Sequence, residues 1–218
     1  MNVVINEKGE RLRAIDIEEV VKSGKYNCVC CDEKMVFVNK SEIRNCHFRH
    51  YPKSTCVSNI DKTYAENKKS NFHYDWQKIF PKQNVEICFN EDDNKHIADI
   101  YLESDNDKLV IEIQHSPISE INIKERTNFY TKQNRKLLWI FDIKNSSQIS
   151  KIKTHDRDIC IIKFIKKIYF TSIPSDMLLL DAGDEYLYKI NDVNDADKEQ
   201  ITVSNIIKKD IFIENLKK

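Results

Sequence analysis

Three apolar runs, Val85–Phe89, His96–Leu102 and Lys108–Gln114, follow one another in quick succession, parted by the turn-rich segments 90–94 and 103–107. Each reads as a strand. Upstream, Tyr64, Phe72, Trp76, Ile79 and Phe80 recur at three- and four-residue intervals with charges between them. That period predicts a helix from Asp61 to Phe80, which Pro81 stops. Downstream, Ser119 is placed to cap a helix running to about Lys132, with Ile121, Arg126, Phe129 and Tyr130 on it, and Leu137–Ile143 reads as a buried strand. The order helix, strand, strand, strand, helix, strand predicts a compact mixed α/β (α+β) unit.

The flanks are less regular. Residues 2–17 read as two short strands around Asn6-Glu7-Lys8-Gly9, then a polar helical turn that Gly24 can end, and Val36-Phe37-Val38 suggests a further strand. Beyond Asn145, short strands are predicted at Ile159–Phe164, Ile168–Thr171, Met177–Leu180 and Tyr186–Ile190, then an acidic loop and a last helix from about Ser204 to Leu216. No catalytic motif occurs there, and a sheet extension with a packing helix is the expected role. The expected division is an N-terminal hairpin and cysteine module over residues 1–60, a core over 61–145 and a C-terminal extension over 146–218.

The 218 residues carry 35 Lys+Arg against 35 Asp+Glu, a net charge of zero. Zero net charge excludes a histone-like protein held on nucleic acid by bulk charge. The total hides unlike parts: residues 20–60 hold 7 basic and 3 acidic residues, residues 61–82 hold 5 and 3, and residues 176–199 hold 2 and 8. The basic excess leaves a local phosphate-binding face possible. No stretch approaches the roughly 18 apolar residues of a membrane span, and the N-terminus lacks the apolar core of a signal peptide. A cytoplasmic protein without membrane partners is the expectation.

Of the 7 cysteines, Cys28, Cys30, Cys31, Cys46 and Cys56 crowd one stretch together with His47 and His50. In a reducing compartment this clustering favours metal over disulfides. Cys28 and Cys31, two residues apart on a knuckle, can aim both sulfurs at one zinc, and His50 and Cys56 return after a short hairpin. Four ligands complete a tetrahedron and would add folding energy to a segment too small to bury its own core. Cys30, Cys46 and His47 compete for the same roles, although His47 and His50 on one strand would face opposite sides. The bland alternative is a reduced cluster of small apolar side chains.

Within the apolar runs, Asp99 and the pair Glu112 and Gln114 stand out. Period-two alternation puts Glu112 and Gln114 on one face, and a hairpin can bring Asp99 alongside. Polar side chains among Ile97, Ile100, Val110, Ile111 and Ile113 need a reason to be there. Two carboxylates suit magnesium or manganese, which can polarise a phosphodiester. Solvated residues on an exposed strand face are the plain alternative. Trp76 and Trp139 are expected in the core, His73 is as readily structural as functional, and His115 reads as a loop residue.

Asp99, followed on the next strand by Glu112-Ile113-Gln114 and then a helix, resembles the PD-(D/E)XK nuclease core. More narrowly, the chain resembles the competence protein CoiA-like family. The resemblance rests on Tyr26-Asn27-Cys28 with Cys31, His47-Phe48-Arg49-His50 with Cys56, His73-Tyr74-Asp75-Trp76-Gln77-Lys78, His96-Ile97-Ala98-Asp99-Ile100, and Ile111 to Ser119 with Arg126 and Tyr130. It implies a restriction-endonuclease-like αβββαβ core behind a zinc-binding N-terminal module, and a role in handling DNA, with proteins of DNA processing as further partners. Carried over by position, Asp99 and Glu112 would bind the catalytic magnesium or manganese, and Gln114 stands where the superfamily pattern has Lys; His73, on its amphipathic helix, could position phosphate or water. A neutral amide orients water but does not supply positive charge, a part that Lys78 or Arg126 would then take. Asn71 stands where the family often has an acidic residue, with Glu66 a distant substitute, and the Pro common within the CxxC knuckle is missing.

A magnesium-dependent deoxyribonuclease is the function this implies, in competence and recombination or in defence. The competing expectation is a catalytically weak or inactive nuclease-fold module that binds DNA or protein and carries structural zinc.

Overall fold

The computed structural model describes residues 1–17, 24–41, 45–56, 71–91, 94–105, 107–115, 118–144, 149–155, 159–164, 173–194 and 200–217. It divides into two compact units, residues 1–101 and 102–218.

Unit 1 opens with five short antiparallel strands: β1 (Val3–Asn6), β2 (Arg11–Arg13), β3 (Tyr26–Cys28), β4 (Lys34–Val38) and β5 (His47–His50). They pair in the order β2-β1-β3-β4-β5. The β1–β2 turn forms where Asn6 and Gly9 predict it. Asn6 Oδ1 accepts the N–H groups of Lys8 and Glu10, and Gly9 takes φ +77, the left-handed conformation glycine tolerates. One face of this sheet buries Met1, Val4, Tyr26, Met35 and Phe48 with Cys28 and Cys56. That core is small.

Helix α1 (Asn71–Lys78) turns Tyr74, Trp76 and Gln77 inward. Its last turn closes through Phe80 N–H to Gln77 O, and Pro81 follows, as expected of a residue that cannot continue a helix. The earlier part of the predicted helix, with Tyr64 and Glu66, lies outside the described residues. Strands β6 (Val85–Glu91) and β7 (Asn94–Glu103) form an antiparallel hairpin with Val85 opposite Ile100 and Cys88 opposite Ile97. Buried Glu86 ties this hairpin to the first sheet. Its φ of +52 is costly for a residue with a Cβ, yet it lets the carboxylate accept the N–H groups of Asn2 and Val3 at 2.8 and 3.0 Å. Arg11 adds bonds to the carbonyls of Val85 and Glu86, and burial pulls its guanidinium pKa down.

Unit 2 is built on parallel strands. β8 (Lys108–Gln114) leads through helix α2 (Glu120–Thr131) to β9 (Lys136–Asp142), with Glu112 in register with Trp139. Ser119 caps α2 by accepting the Asn122 N–H. β9 then pairs in parallel with β12 (Leu178–Asp181). These strands read as continuous apolar runs because both of their faces are covered. Beyond β12 the sheet continues antiparallel through β13 (Tyr186–Asn194), β14 (Gln200–Lys208), β11 (Ile159–Phe164) and β10 (Ile149–His155).

Two differences from the sequence reading concern this extension. The segment from Ser204 is not yet helix: β14 runs to Lys208, and helix α3 (Lys209–Leu216) starts only there. Ile149–His155, unassigned by pattern, pairs with β11 as a strand. Ile168–Thr171 lies outside the described residues. The mixed α/β class and the element order α1-β6-β7-β8-α2-β9 agree with the sequence.

Candidate functional site

Cys28 ends β3, the tight turn through Asp32 (φ +60) brings Cys31 back, and the β4–β5 register sets His50 beside Met35. The ligand atoms of Cys28, Cys31, His50 and Cys56 all lie within 4.8 Å of one another. Cys28 Sγ is 3.8 Å from Cys56 Sγ, and Cys31 Sγ is 3.3 Å from His50 Nε2. Three thiols and an imidazole in one shell are a donor set that could hold zinc. Two competitors point elsewhere: Cys46 donates to Ala14 O, and His47 Nδ1 meets Asn45 O at 3.0 Å.

Cys30 brings a correction. It is joined to Cys88 of β6 in a disulfide, so the expectation of metal in place of disulfides fails for this pair. Cys30 lies between Cys28 and Cys31 in the turn, its N–H meeting Cys28 Sγ at 3.3 Å while its own sulfur is bonded to Cys88.

Burial pushes the Cys28 thiol up and the Cys31 thiol up to about 12. A metal must displace their protons. Zinc affinity is therefore expected to rise with pH, by about tenfold per pH unit for each proton displaced. Competition titrations with a zinc indicator from about pH 6 to pH 8 test this, and a flat profile would refute proton-coupled thiolate ligation.

The acidic residues sit in two settings. Glu112 on β8 is 1% exposed among Val110, Ile111 and Ile113, and α2 supplies a donor to each of its oxygens. Arg126 Nη1 donates to Oε2 and Tyr130 Oη donates to Oε1, each at 2.9 Å. The Arg126 and Tyr130 spacing of one helical turn puts both on the face of α2 that meets β8. Arg126, expected to supply the positive charge that Gln114 lacks, is bonded to Glu112. Tyr130→Phe is expected to lower the unfolding free energy by about 1.5–3 kcal/mol, the worth of a hydrogen bond to a charged group. Urea denaturation measures it, and an unchanged midpoint would show that the hydroxyl does not hold Glu112.

In unit 1, buried Asp99 on β7 lies with its Oδ2 3.5 Å from His73 Nε2 of α1. His73 Nδ1 is buried and has no hydrogen-bond partner among the described residues. Lys78, the other expected cation, lies half exposed and 3.7 Å from Asp75 on its own helix. Gln114 ends β8, partly buried. Trp76 and Trp139 are core residues, 4% and 0% exposed.

His115 is more than a loop residue. Its Nδ1–H donates to Asp142 Oδ2 at 2.6 Å, and Asp142 Oδ1 accepts the Lys144 N–H. The parallel register explains the meeting: Gln114 lies level with Phe141, so His115 falls level with Asp142, on the sheet face opposite Glu112. The next parallel strand ends the same way, in buried Asp181 bonded to Lys209 and to the Gly183 N–H. A polar residue closing each apolar parallel run was the available sequence signal.

Residues 63–209 match the family model for the competence protein CoiA, nuclease-like domain. The chain belongs to this family. The match takes in α1, Asp99, Glu112, Gln114, Arg126 and Tyr130, whereas the cysteine and histidine cluster precedes it. No curated protein and no solved structure matches the chain. Membership of the CoiA nuclease-like family points to a nuclease-related function and to nucleic acid as the partner. No helix among the described residues is long and apolar enough to cross a membrane.

Proposed function

We propose that the chain is a metal-dependent nuclease that hydrolyses DNA phosphodiester bonds in DNA processing, with a restriction-endonuclease-like core over residues 61–145. A zinc-bearing module over residues 1–60 precedes that core, and residues 146–218 extend it. The observation that carries the reading is Glu112: an ionisable side chain, 1% exposed on an apolar strand, with both oxygens given donors by the following helix. Such a carboxylate is costly to bury and is retained where its charge is used.

In this reading Glu112 and Asp99 are the carboxylates that bind catalytic magnesium or manganese, hard-oxygen donors of the kind such ions take. When bound, the ion polarises the phosphodiester and lowers the pKa of an attacking water. Arg126 and Tyr130 hold Glu112 in one rotamer by donating to its two oxygens. His73 orients Asp99 or a phosphate oxygen, and Gln114 orients the water through its amide. Cys28, Cys31, His50 and Cys56 hold structural zinc.

The test is cleavage of end-labelled single- and double-stranded DNA by purified protein with magnesium, manganese or chelator. Cleavage that needs the metal supports the reading; none under any metal overturns it. One observation favours the second reading, a nuclease-fold module that binds without turnover: Gln114 is neutral and Arg126 already neutralises Glu112. That reading predicts salt-dependent DNA binding and no product.

A further inference from the structure

The zinc-ligand cluster frames a short turn, two of whose side chains, Tyr51 and Lys53, lie outside both the cluster and the core. His50 and Cys56 are the cluster members on either side of it. Between them, Tyr51-Pro52-Lys53-Ser54 closes through the Ser54 N–H to Tyr51 O. Ser54 Oγ donates to Glu33 Oε2 and accepts the Cys56 N–H, pinning the turn to the knuckle on one side and to a ligand on the other. Lys53 takes φ +79, the third turn position that ordinarily goes to Gly or Asn. A long cationic side chain is thus held where the backbone disfavours it.

The strand leading in alternates. Phe48 and His50 are buried, while Arg49 and Tyr51 are exposed. Tyr51, at 58%, is the one aromatic among the large hydrophobic side chains exposed in the described residues. One step beyond the Met35 and His50 pair, Lys34 of β4 comes level with Tyr51, and it is exposed too. Among the described residues, no carboxylate pairs with Lys34, Arg49 or Lys53.

We propose that this face, Lys34, Arg49, Tyr51 and Lys53, is a single-stranded DNA docking site presented by the zinc cluster; the choice of DNA rests on the nuclease reading. An exposed ring amid three cations with which no carboxylate pairs among the described residues matches a strand that offers both phosphates and unstacked bases. A duplex would offer the phosphates but keep its bases from the ring. An acidic protein would use the cations and leave the ring without a role.

Fluorescence anisotropy of the full chain with labelled dT20 and with a 20-bp duplex tests this, in buffer free of magnesium, manganese and chelator so that cleavage is prevented and zinc retained, with zinc content and circular dichroism verifying folding. Tyr51→Ala is expected to weaken dT20 binding by about tenfold or more and Tyr51→Phe to restore it. Arg49→Ala and Lys53→Gly are expected each to reduce the slope of log affinity against log salt by about 0.7. Wild-type dT20 affinity in folded Tyr51→Ala, or equal loss on duplex and single strand, overturns the proposal. So does binding of an acidic polypeptide but not of dT20. The nuclease reading fails separately: dT20 binding that depends on Tyr51 without cleavage leaves this face standing, and metal-dependent cleavage with Tyr51-independent binding leaves only the nuclease.

Discussion

Glu112→Gln is expected to cut metal-dependent DNA cleavage by about a hundred- to ten-thousand-fold, the several kcal/mol that a catalytic ion supplies at 1.36 kcal/mol per factor of ten. The substitution is chosen over alanine for a structural reason. Alanine would take the Glu112 carboxylate away from both the buried Tyr130 hydroxyl and Arg126, at about 3–5 kcal/mol. The glutamine amide can accept from Arg126 Nη1 through its oxygen and donate to Tyr130 Oη through its nitrogen, with the hydroxyl turning from donor to acceptor. Shape and hydrogen bonds are kept while the negative charge is lost, so the fold should suffer by no more than about 1–3 kcal/mol. Asp99→Asn makes the matching change beside His73. Initial cleavage rates with saturating magnesium, alongside urea denaturation of each variant, decide the matter. If both folded variants cleave within about tenfold of the parent protein, the carboxylates are not the catalytic pair.

How far this site could be read from sequence depends on whether its geometry is local. Cys28 and Cys31 belong to one turn, and the return of His50 and Cys56 needs only a hairpin, so spacing rules reach all four. Ser119 as a cap and Pro81 as a stop are equally local. Glu112 and Gln114 announced themselves because polar residues interrupt an apolar run. Their partners do not: the sequence offers Arg126 as a nearby cation, but nothing in a helix pattern says which strand residue its face will meet. The Cys30 and Cys88 pairing, at a sequence separation of 58, has no local signature at all. His115 and Asp142 meet only through the parallel register of β8 and β9, which must be known before the pair can be seen.

The extension shows the same limit in secondary structure. Residues from Ser204 onward carry Ile206, Ile207, Ile211 and Ile213 at spacings a helix can use, and helix propensity is permissive there. Cross-strand pairing decides against it as far as Lys208: β11 pairs with β14 up to Ser204, and β13 pairs with it on to Ile206, Ile207 and Lys208. In Ile149–His155 alternating lysines masked a strand whose identity comes from its pairing with β11. Tertiary hydrogen bonding overrode local preference in both cases.

Removal of zinc is expected to have the second large effect. The N-terminal sheet buries few large side chains, and two members of its core, Cys28 and Cys56, are themselves proposed ligands. A metal present at about a thousand times its dissociation constant adds about 4 kcal/mol to the folded state. For a chain of this length, that corresponds to a melting shift of about 8–16 °C. The Cys30–Cys88 disulfide also holds this region, because it joins the knuckle to β6 across 58 residues. The experiment should therefore be run with and without reductant. Under reductant, a strong chelator is expected to abolish hydrogen-exchange protection at the amides of Cys28, Asp32 and Phe48, whose hydrogen bonds lie in the knuckle and on β5. In the oxidised protein the loss should be smaller, because the disulfide still limits the unfolded chain. Cys31→Ser should reproduce the chelator effect without any chelator, and native mass spectrometry should find one zinc per chain in the parent and none in the variant. A parent protein prepared with zinc that carries none, and whose protection is indifferent to chelation in both redox states, would mean that packing and the disulfide alone hold the cysteine cluster together.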